Sequence, residues 1–418
     1  MRPIVIGRDE EDLKKFGEDG LAALGKHYVR TGDKVNLANS VMLDLARPHV
    51  ILVSGKRGQG KSYTLGVIAE EILFLPRRLR EKLSVVIFDT MGIYWTMRYP
   101  NARQEKQIKD WGLTPQSMPV RVLVPEGWVK KYEESGIKPD GVLAIHPSDL
   151  SIDDWLQTFD INLFSPLGIL FERVLRKKPE SLEEMSQLAE ADKKAEPSIK
   201  DALINRLDAA KAWGVFSDQG TKIKDLLVPS TINTLDLSLL GQNVKSLLIG
   251  LISKKIFEAR VVARKGEEKS EITRHMEISR EGKSKLPMPW ILIDEAHEYL
   301  PPKLETPSAR ALIQVIREGR QPGITLVLAT QQPGKIHTDV MTQADIVLSH
   351  RVTAQLDIDA LNSIMGNYMQ FPLDKYLSNL PRFKGAAVIL DDNAEKVYQI
   401  RMRPRVSWHG GESATLIK

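Results

Sequence analysis

Apolar residues along this chain follow two rhythms. Short, mostly apolar runs (His49 to Val53, Ser84 to Phe88, Val120 to Val124, Pro289 to Ile293 and Ile324 to Ala329) lack the alternation of a half-wetted strand, and each gives way to a polar residue or proline. Runs of this kind predict strands buried on both faces. Between them lie segments with apolar positions at helical spacing, such as Tyr63 to Phe74 and Val244 to about Arg264. Strands alternating with helices predict an α/β fold built on a mainly parallel sheet. Ser230 to Leu237, Ile346 to His350 and Ala386 to Leu390 extend that sheet, and Val397 to Arg403 reads as an added edge.

The rhythm breaks in places that suggest the organisation. Residues 1–48 hold a charged helical stretch, Asp9 to Leu24, and β-like pieces at Tyr28–Arg30 and Val41–Leu43; they read as a lead-in packed on the core. Residues 49–148 read as the first part of that core. From 149 to 228 the pattern is helical, with Ser or Pro capping signals, and predicts a helical insertion. The core resumes over 229–403. Within it 265–286 is polar and charge-rich without a sustained apolar face, and reads as a mobile loop. Residues 404–418 read as a C-terminal tail.

Composition narrows the classes without choosing one. The chain has 418 residues, no cysteine, and 59 Lys+Arg against 54 Asp+Glu. Absence of cysteine excludes disulfides, thiolate zinc sites and thiol catalysis. No apolar run approaches the length that spans a bilayer, and the start lacks the layout of a secretory signal, so the expectation is a cytoplasmic protein with no membrane partner. A net charge of +5 permits nucleic-acid contact but does not demand it.

The candidate chemistry begins after the first buried strand. Gly55-Lys56-Arg57-Gly58-Gln59-Gly60-Lys61-Ser62 is the G-x-x-x-x-G-K-[ST] phosphate-binding loop, followed by Tyr63 at the start of a helix. Its glycines let backbone N–H groups turn inward onto phosphate oxygens, and the helix adds the positive end of its dipole. Lys61 is expected to reach the β/γ-phosphates of ATP, and Ser62 to offer its hydroxyl to Mg2+.

A second half follows at Ile291-Leu292-Ile293-Asp294-Glu295, an apolar strand running into two acids. Asp294 is expected to hold Mg2+, and Glu295 to orient and deprotonate the attacking water, which implies hydrolysis as well as binding. The next strand ends in Thr330-Gln331-Gln332. An amide there, Gln331 with Gln332 as runner-up, is positioned in chain order to touch the γ-phosphate or the lytic water.

The order of these parts resembles the additional-strand P-loop ATPases with a RecA-like core, specifically HerA-type ATPases of the HerA/FtsK superfamily. RPHVILVSGKRGQGKSYTLG, STINTLDLS, WILIDEAHEYLP, REGRQPGI, ATQQP and SHRVT carry the likeness across most of residues 47–405. Two departures stand out: only about 48 residues precede the loop strand where the family usually has a β-barrel domain, and the family's Asp-x-His-Gly-Glu-Tyr segment reads here Asp89-Thr90-Met91-Gly92-Ile93-Tyr94. Only Asp89 is carried over from that segment.

The resemblance implies an ATP-driven homohexameric ring that moves double-stranded DNA, in end processing with a NurA-like nuclease. Relatives used in packaging, conjugation or defence are alternatives, as is a hydrolysis-gated scaffold without translocation. It also implies that Arg320, in the turn Gly319-Arg320-Gln321-Pro322-Gly323, reaches a neighbour's γ-phosphate in trans, with Arg317 as runner-up. Candidate DNA contacts are Arg98, Arg103, Lys106 and Lys109, with Tyr94 and Trp95 beside them, and Lys335 and His337 as alternatives.

Overall fold

Every strand among the described residues joins one sheet. The computed structural model describes residues 2–31, 34–275, 286–303, 306–365, 373–381 and 383–412. In chain order the strands are β1 (Ile4–Ile6), β2 (Leu21–Thr31), β3 (Lys34–Asp44), β4 (Val50–Ser54), β5 (Leu83–Asp89), β6 (Val120–Pro125), β7 (Gly141–Leu143), β8 (Ile232–Asp236), β9 (Met288–Ile293), β10 (Thr325–Thr330), β11 (Ile346–His350), β12 (Ala386–Asp391) and β13 (Lys396–Met402). Their order across the sheet is β1-β3-β2-β13-β12-β11-β4-β10-β9-β5-β8-β6-β7. From β11 to β7 all pairings are parallel, and from β11 through β12 and β13 to β2 and β3 they are antiparallel. The molecule is thus α/β with a mostly parallel sheet, as the patterning predicts.

The unbroken apolar runs are explained by burial on both faces. Leu52, Val86 and Phe88 point into a core shared with helices Ile152–Thr158, Pro166–Leu175, Leu182–Glu190, Pro197–Lys211, Gln242–His275 and Pro307–Glu318. Ile51, Val53, Val85 and Ile87 point the other way, against helix Lys61–Phe74 and the N-terminal strands. No helix among the described residues is long and apolar enough to cross a membrane.

Four expectations change. The helix foreseen over Asp9 to Leu24 covers only Glu10–Phe16; Gly17 and Gly20 adopt φ of 57° and 76°, and the chain then enters β2. β13 is no edge, since it lies between β12 and β2 and so draws residues 21–44 into the main sheet. The charge-rich stretch from 265 is helical as far as His275, continuing the helix that begins at Gln242; residues 276–285 lie outside the described residues. Its support comes from ion pairs along the helix: Arg264 meets Glu268 at 3.4 Å and Glu271 at 3.4 Å, and buried Arg260 meets Glu267 at 3.1 Å.

The fourth concerns the segment read as a tail. Residues 403–409 pass across the helix that follows the phosphate loop. Fully buried Glu70 on that helix accepts from Arg403 at 2.7 Å, Val406 N at 3.2 Å, Ser407 N at 2.9 Å and Ser407 Oγ at 2.5 Å.

Candidate active site

The parallel register brings the sequence motifs to one end of the sheet. Ser54 pairs with Thr330, and Leu328 with Ile293, so the residues following β4, β9 and β10 emerge side by side. Gly55 to Ser62 crosses from β4 to the helix beginning at Lys61. Gly60 caps that helix at φ 117°, a conformation closed to residues with a Cβ. At Gly55 a Cβ would sit 2.7 Å from that of His350, so the close approach of β11 also demands glycine. The loop is held from outside: Gly55 N donates to Thr330 O at 3.2 Å and Lys56 N to Arg351 O at 2.9 Å. Lys56 and Arg57 are exposed at its tip, whereas Lys61 is buried at the helix start.

Asp294 and Glu295 stand opposite the loop. Ser62 Oγ donates to Asp294 Oδ2 at 2.5 Å, and Glu295 N donates to Asp294 Oδ1 at 2.9 Å. A hydroxyl facing a carboxylate is a hard oxygen pair of the kind Mg2+ takes together with substrate phosphates. Among the described residues no cluster of three or more His, Asp or Glu forms a protein-only metal cage. Glu295 sits in the left-handed region at φ 51°, ψ 43°, a backbone state rare for a side chain of its size. Its Oε2 is buried without a hydrogen-bond partner. Burial, and then the adjacent Asp294 charge, push the carboxyl up to about 7 against the opposing pull of Lys61. His297 Nδ1 lies 3.6 Å from Oε2 and 3.2 Å from Thr330 Oγ1, and burial lowers its pKa, so it faces Glu295 as a neutral ring. Gln331 and Gln332 are half-buried beside this pair, and the Gln331 backbone N–H favours the ionised form of Glu295.

Tyr94 belongs to this centre and not to a DNA-facing surface. Its hydroxyl is 3.4 Å from Asp294 Oδ2 and 3.3 Å from Ser62 O, and the side chain is 1% exposed. Asp89 sets it there: Oδ1 accepts from Gly92 N at 2.7 Å and Oδ2 from Tyr94 N at 2.8 Å. Burial and the neighbouring Asp236 raise the Asp89 pKa. The signal in the sequence was Asp89 at a strand end with Gly92 in the following turn.

The remaining candidates lie apart from this centre. Arg320 is exposed, and its guanidinium makes no hydrogen bond or ion pair among the described residues, while its carbonyl accepts from Gly323 N at 3.3 Å. It precedes β10 while Gln331 follows it, so the strand, about 17 Å long at roughly 3.3 Å per residue, separates Arg320 from its own phosphate loop. Arg260 anchors that turn by donating to Pro322 O at 2.9 Å. Arg317 is paired with Asp339 at 2.5 Å. Arg98 holds Val120 O, Lys138 O and Asp140, Arg103 pairs with Glu412 over the Trp408 ring, and Lys109 pairs with Glu105. Lys106 and Lys335 are exposed and their ammonium groups make no hydrogen bond or ion pair among the described residues, while His337 is buried.

Comparison with known proteins finds similarity across much of the chain. HerA proteins described as DNA double-strand break repair helicases are similar: that of Saccharolobus solfataricus is 23% identical over 80% of this chain and 60% of its own length, and that of Sulfurisphaera tokodaii 22% over 82% and 61%. The Pyrococcus furiosus HerA is 30% identical over 31% of this chain and 26% of its own length. The chain therefore spans at most about three-fifths of these relatives. Among solved structures, VirB4 of Thermoanaerobacter pseudethanolicus superimposes with a TM-score of 0.54 at 14% identity, covering 95% of this chain and 97% of that one. The conjugative coupling protein TrwBΔN70 does so at 0.52 and 13%, covering 95% and 98%. They share the P-loop ATPase fold. A family model for zonular occludens toxin matches residues 167–364, and one described as "Helicase HerA, central domain" matches residues 25–256, more than half of the sequence. The chain belongs to the HerA central-domain family.

Proposed function

We propose that this protein hydrolyses ATP and uses the energy to move along double-stranded DNA as a homohexameric ring, serving DNA end processing with a NurA-like nuclease. The observation that carries the reading is the meeting of Lys61, the Ser62–Asp294 pair and the unpartnered carboxylate of Glu295 at one end of β4 and β9. Lys61 offsets charge on the γ-phosphate, and the loop N–H groups orient the phosphate chain. Ser62 and Asp294 would hold Mg2+, which would supply electrostatic stabilisation of the developing charge. Glu295 takes the proton of the attacking water, and the Gln331 amide orients that water.

Arg320 supports the ring reading. An exposed, unpaired guanidinium at the far end of β10 cannot serve its own loop, but it is available to a neighbour's γ-phosphate, where a trans arginine is worth about 10³ or more in rate. Contacts from Arg103, Lys106 and Lys109 to DNA phosphates would be sequence-independent. The test is mass determination of the purified protein alongside ATPase rates with and without linear double-stranded DNA. A hexamer stimulated by DNA supports the motor; a monomer whose hydrolysis ignores DNA removes it.

A further inference from the structure

His350, the last residue of β11, lies beneath the phosphate loop and has no place in the hydrolytic set above. The residue is fully buried. A Cβ on Gly55 would come within 2.7 Å of its Cβ, and one on Gly60 within 3.5 Å of its Cε1. Its Nδ1 is 3.1 Å from the Ala386 carbonyl, which only accepts, so Nδ1 carries the hydrogen. Nε2 is then an acceptor, 2.9 Å from the hydroxyl of Thr64. Thr64 stands in the first turn of the loop helix, three residues after Lys61. Burial drives the imidazole pKa down to about 4; the Ala386 carbonyl opposes this and the Lys61 charge adds to it. The ring therefore stays neutral, with its acceptor intact, across the ordinary pH range.

We propose that His350 is a positioning residue for the phosphate loop: through Thr64 it ties the first turn of the loop helix to β12, and so fixes Lys61 and Ser62 relative to the loop's N–H groups. The adjacent Arg351 carbonyl catches Lys56 N, so the end of β11 holds the loop near both of its ends. A cradle must keep its donors convergent before a phosphate arrives, since backbone N–H groups aimed at one point gain nothing from each other. The inference rests on the nucleotide reading of that loop. Because the cradle grips ground state and transition state alike, its loosening should appear in KM and leave kcat largely alone.

Thr64→Val removes the hydroxyl at constant shape, Thr64→Ser restores it, and His350→Asn keeps an amide N–H toward Ala386 while losing the Nε2 acceptor. Steady-state ATPase and equilibrium ATP binding by the full chain are the readouts. Thr64→Val is expected to raise both KM and Kd about five- to tenfold, with kcat within about twofold. Thr64→Ser should return to the parent values, and the Thr64→Val/His350→Asn double variant should be no weaker than either single one. A Thr64→Val protein with a lower melting temperature but parental KM and Kd overturns the proposal, as does a double variant whose losses multiply. Should His350→Asn fail to fold, the Val and Ser variants at 64 decide alone. A parent protein that binds no ATP overturns this inference together with the reading beneath it, whereas parental binding with an unmoved Thr64→Val overturns the latch only.

Discussion

Removing the Arg403 guanidinium should destabilise the protein measurably while leaving every phosphate-loop residue in place. Its Nε donates to Glu71 Oε1 at 2.5 Å, and its Nη1 to Glu70 Oε2 at 2.7 Å and to Pro404 O at 2.8 Å. The arginine is 2% exposed and Glu70 is fully buried. Deleting one partner of such a pair typically costs about 3–5 kcal/mol, because the surviving charge stays buried without compensation. The low end applies here. Glu70 keeps its bonds from Val406 N and Ser407, and Glu71, whose pKa burial already raises against the pull of Arg403, can take up a proton. At roughly 2.1 cal/mol/K per residue, 418 residues give an unfolding entropy of about 0.9 kcal/mol/K, so about 3 kcal/mol lowers Tm by about 3–4 °C if the chain unfolds as one unit. Differential scanning calorimetry of Arg403→Met reads this directly. Adding Glu70→Gln should not recover the loss, since buried Arg405, 3.7 Å from Glu70, would then lose its counter-charge. A single variant melting within about 1 °C of the parent would refute the reasoning, because it would mean that Glu70 is solvated or that the 403–409 segment is not held by this pair.

Three further outcomes follow from other sites. Burial alone would lower the His49 pKa, but Asp345 at 2.6 Å and Asp44 at 3.6 Å raise it from 6.5 to about 9. Its contribution is thus fully present below the unfolded value and lost as pH rises from about 6.5 through 9, so Tm should fall over that window and His49→Gln should flatten the fall. Replacing Arg103, Lys106 and Lys109 with Ala should weaken binding to linear double-stranded DNA and reduce its salt slope; an unchanged slope moves the contacts elsewhere, with Lys335 the next candidate. Arg320→Ala and Lys61→Ala proteins, each poorly active, should regain some hydrolysis when co-assembled, because an intact arginine then faces an intact loop; mixed rings that stay inactive remove Arg320 from a trans role.

The parts of the site legible in the sequence are those in which a few adjacent residues carry a function. The octamer Gly55 to Ser62 and the strand-end acids Asp294 and Glu295 are such parts, and buried strands that read as apolar runs aligned them. What escaped depends on partners far away in the chain. Arg403 to Ser407 has no apolar period, and its burial follows from Glu70, more than 300 residues earlier. β13 reads as an edge until β2 pairs with it, and the helix beyond Arg264 lacks an apolar face because charge pairs support it. Arg98 has the composition of a DNA contact, yet Asp140 and two carbonyls occupy it. Tyr94 is apolar in company but polar in use, since only the fold brings its hydroxyl to Asp294.

The central claim, hydrolysis of ATP at this loop with Glu295 as base, is tested most directly by phosphate release and bound nucleotide measured together for the parent, Lys61→Ala and Glu295→Gln in preparations free of contaminating ATPase. Lys61→Ala should lose nucleotide binding or hydrolysis altogether. Glu295→Gln should retain ATP while its turnover falls by about two orders of magnitude or more; turnover by Glu295→Gln at the parent's rate would contradict the account.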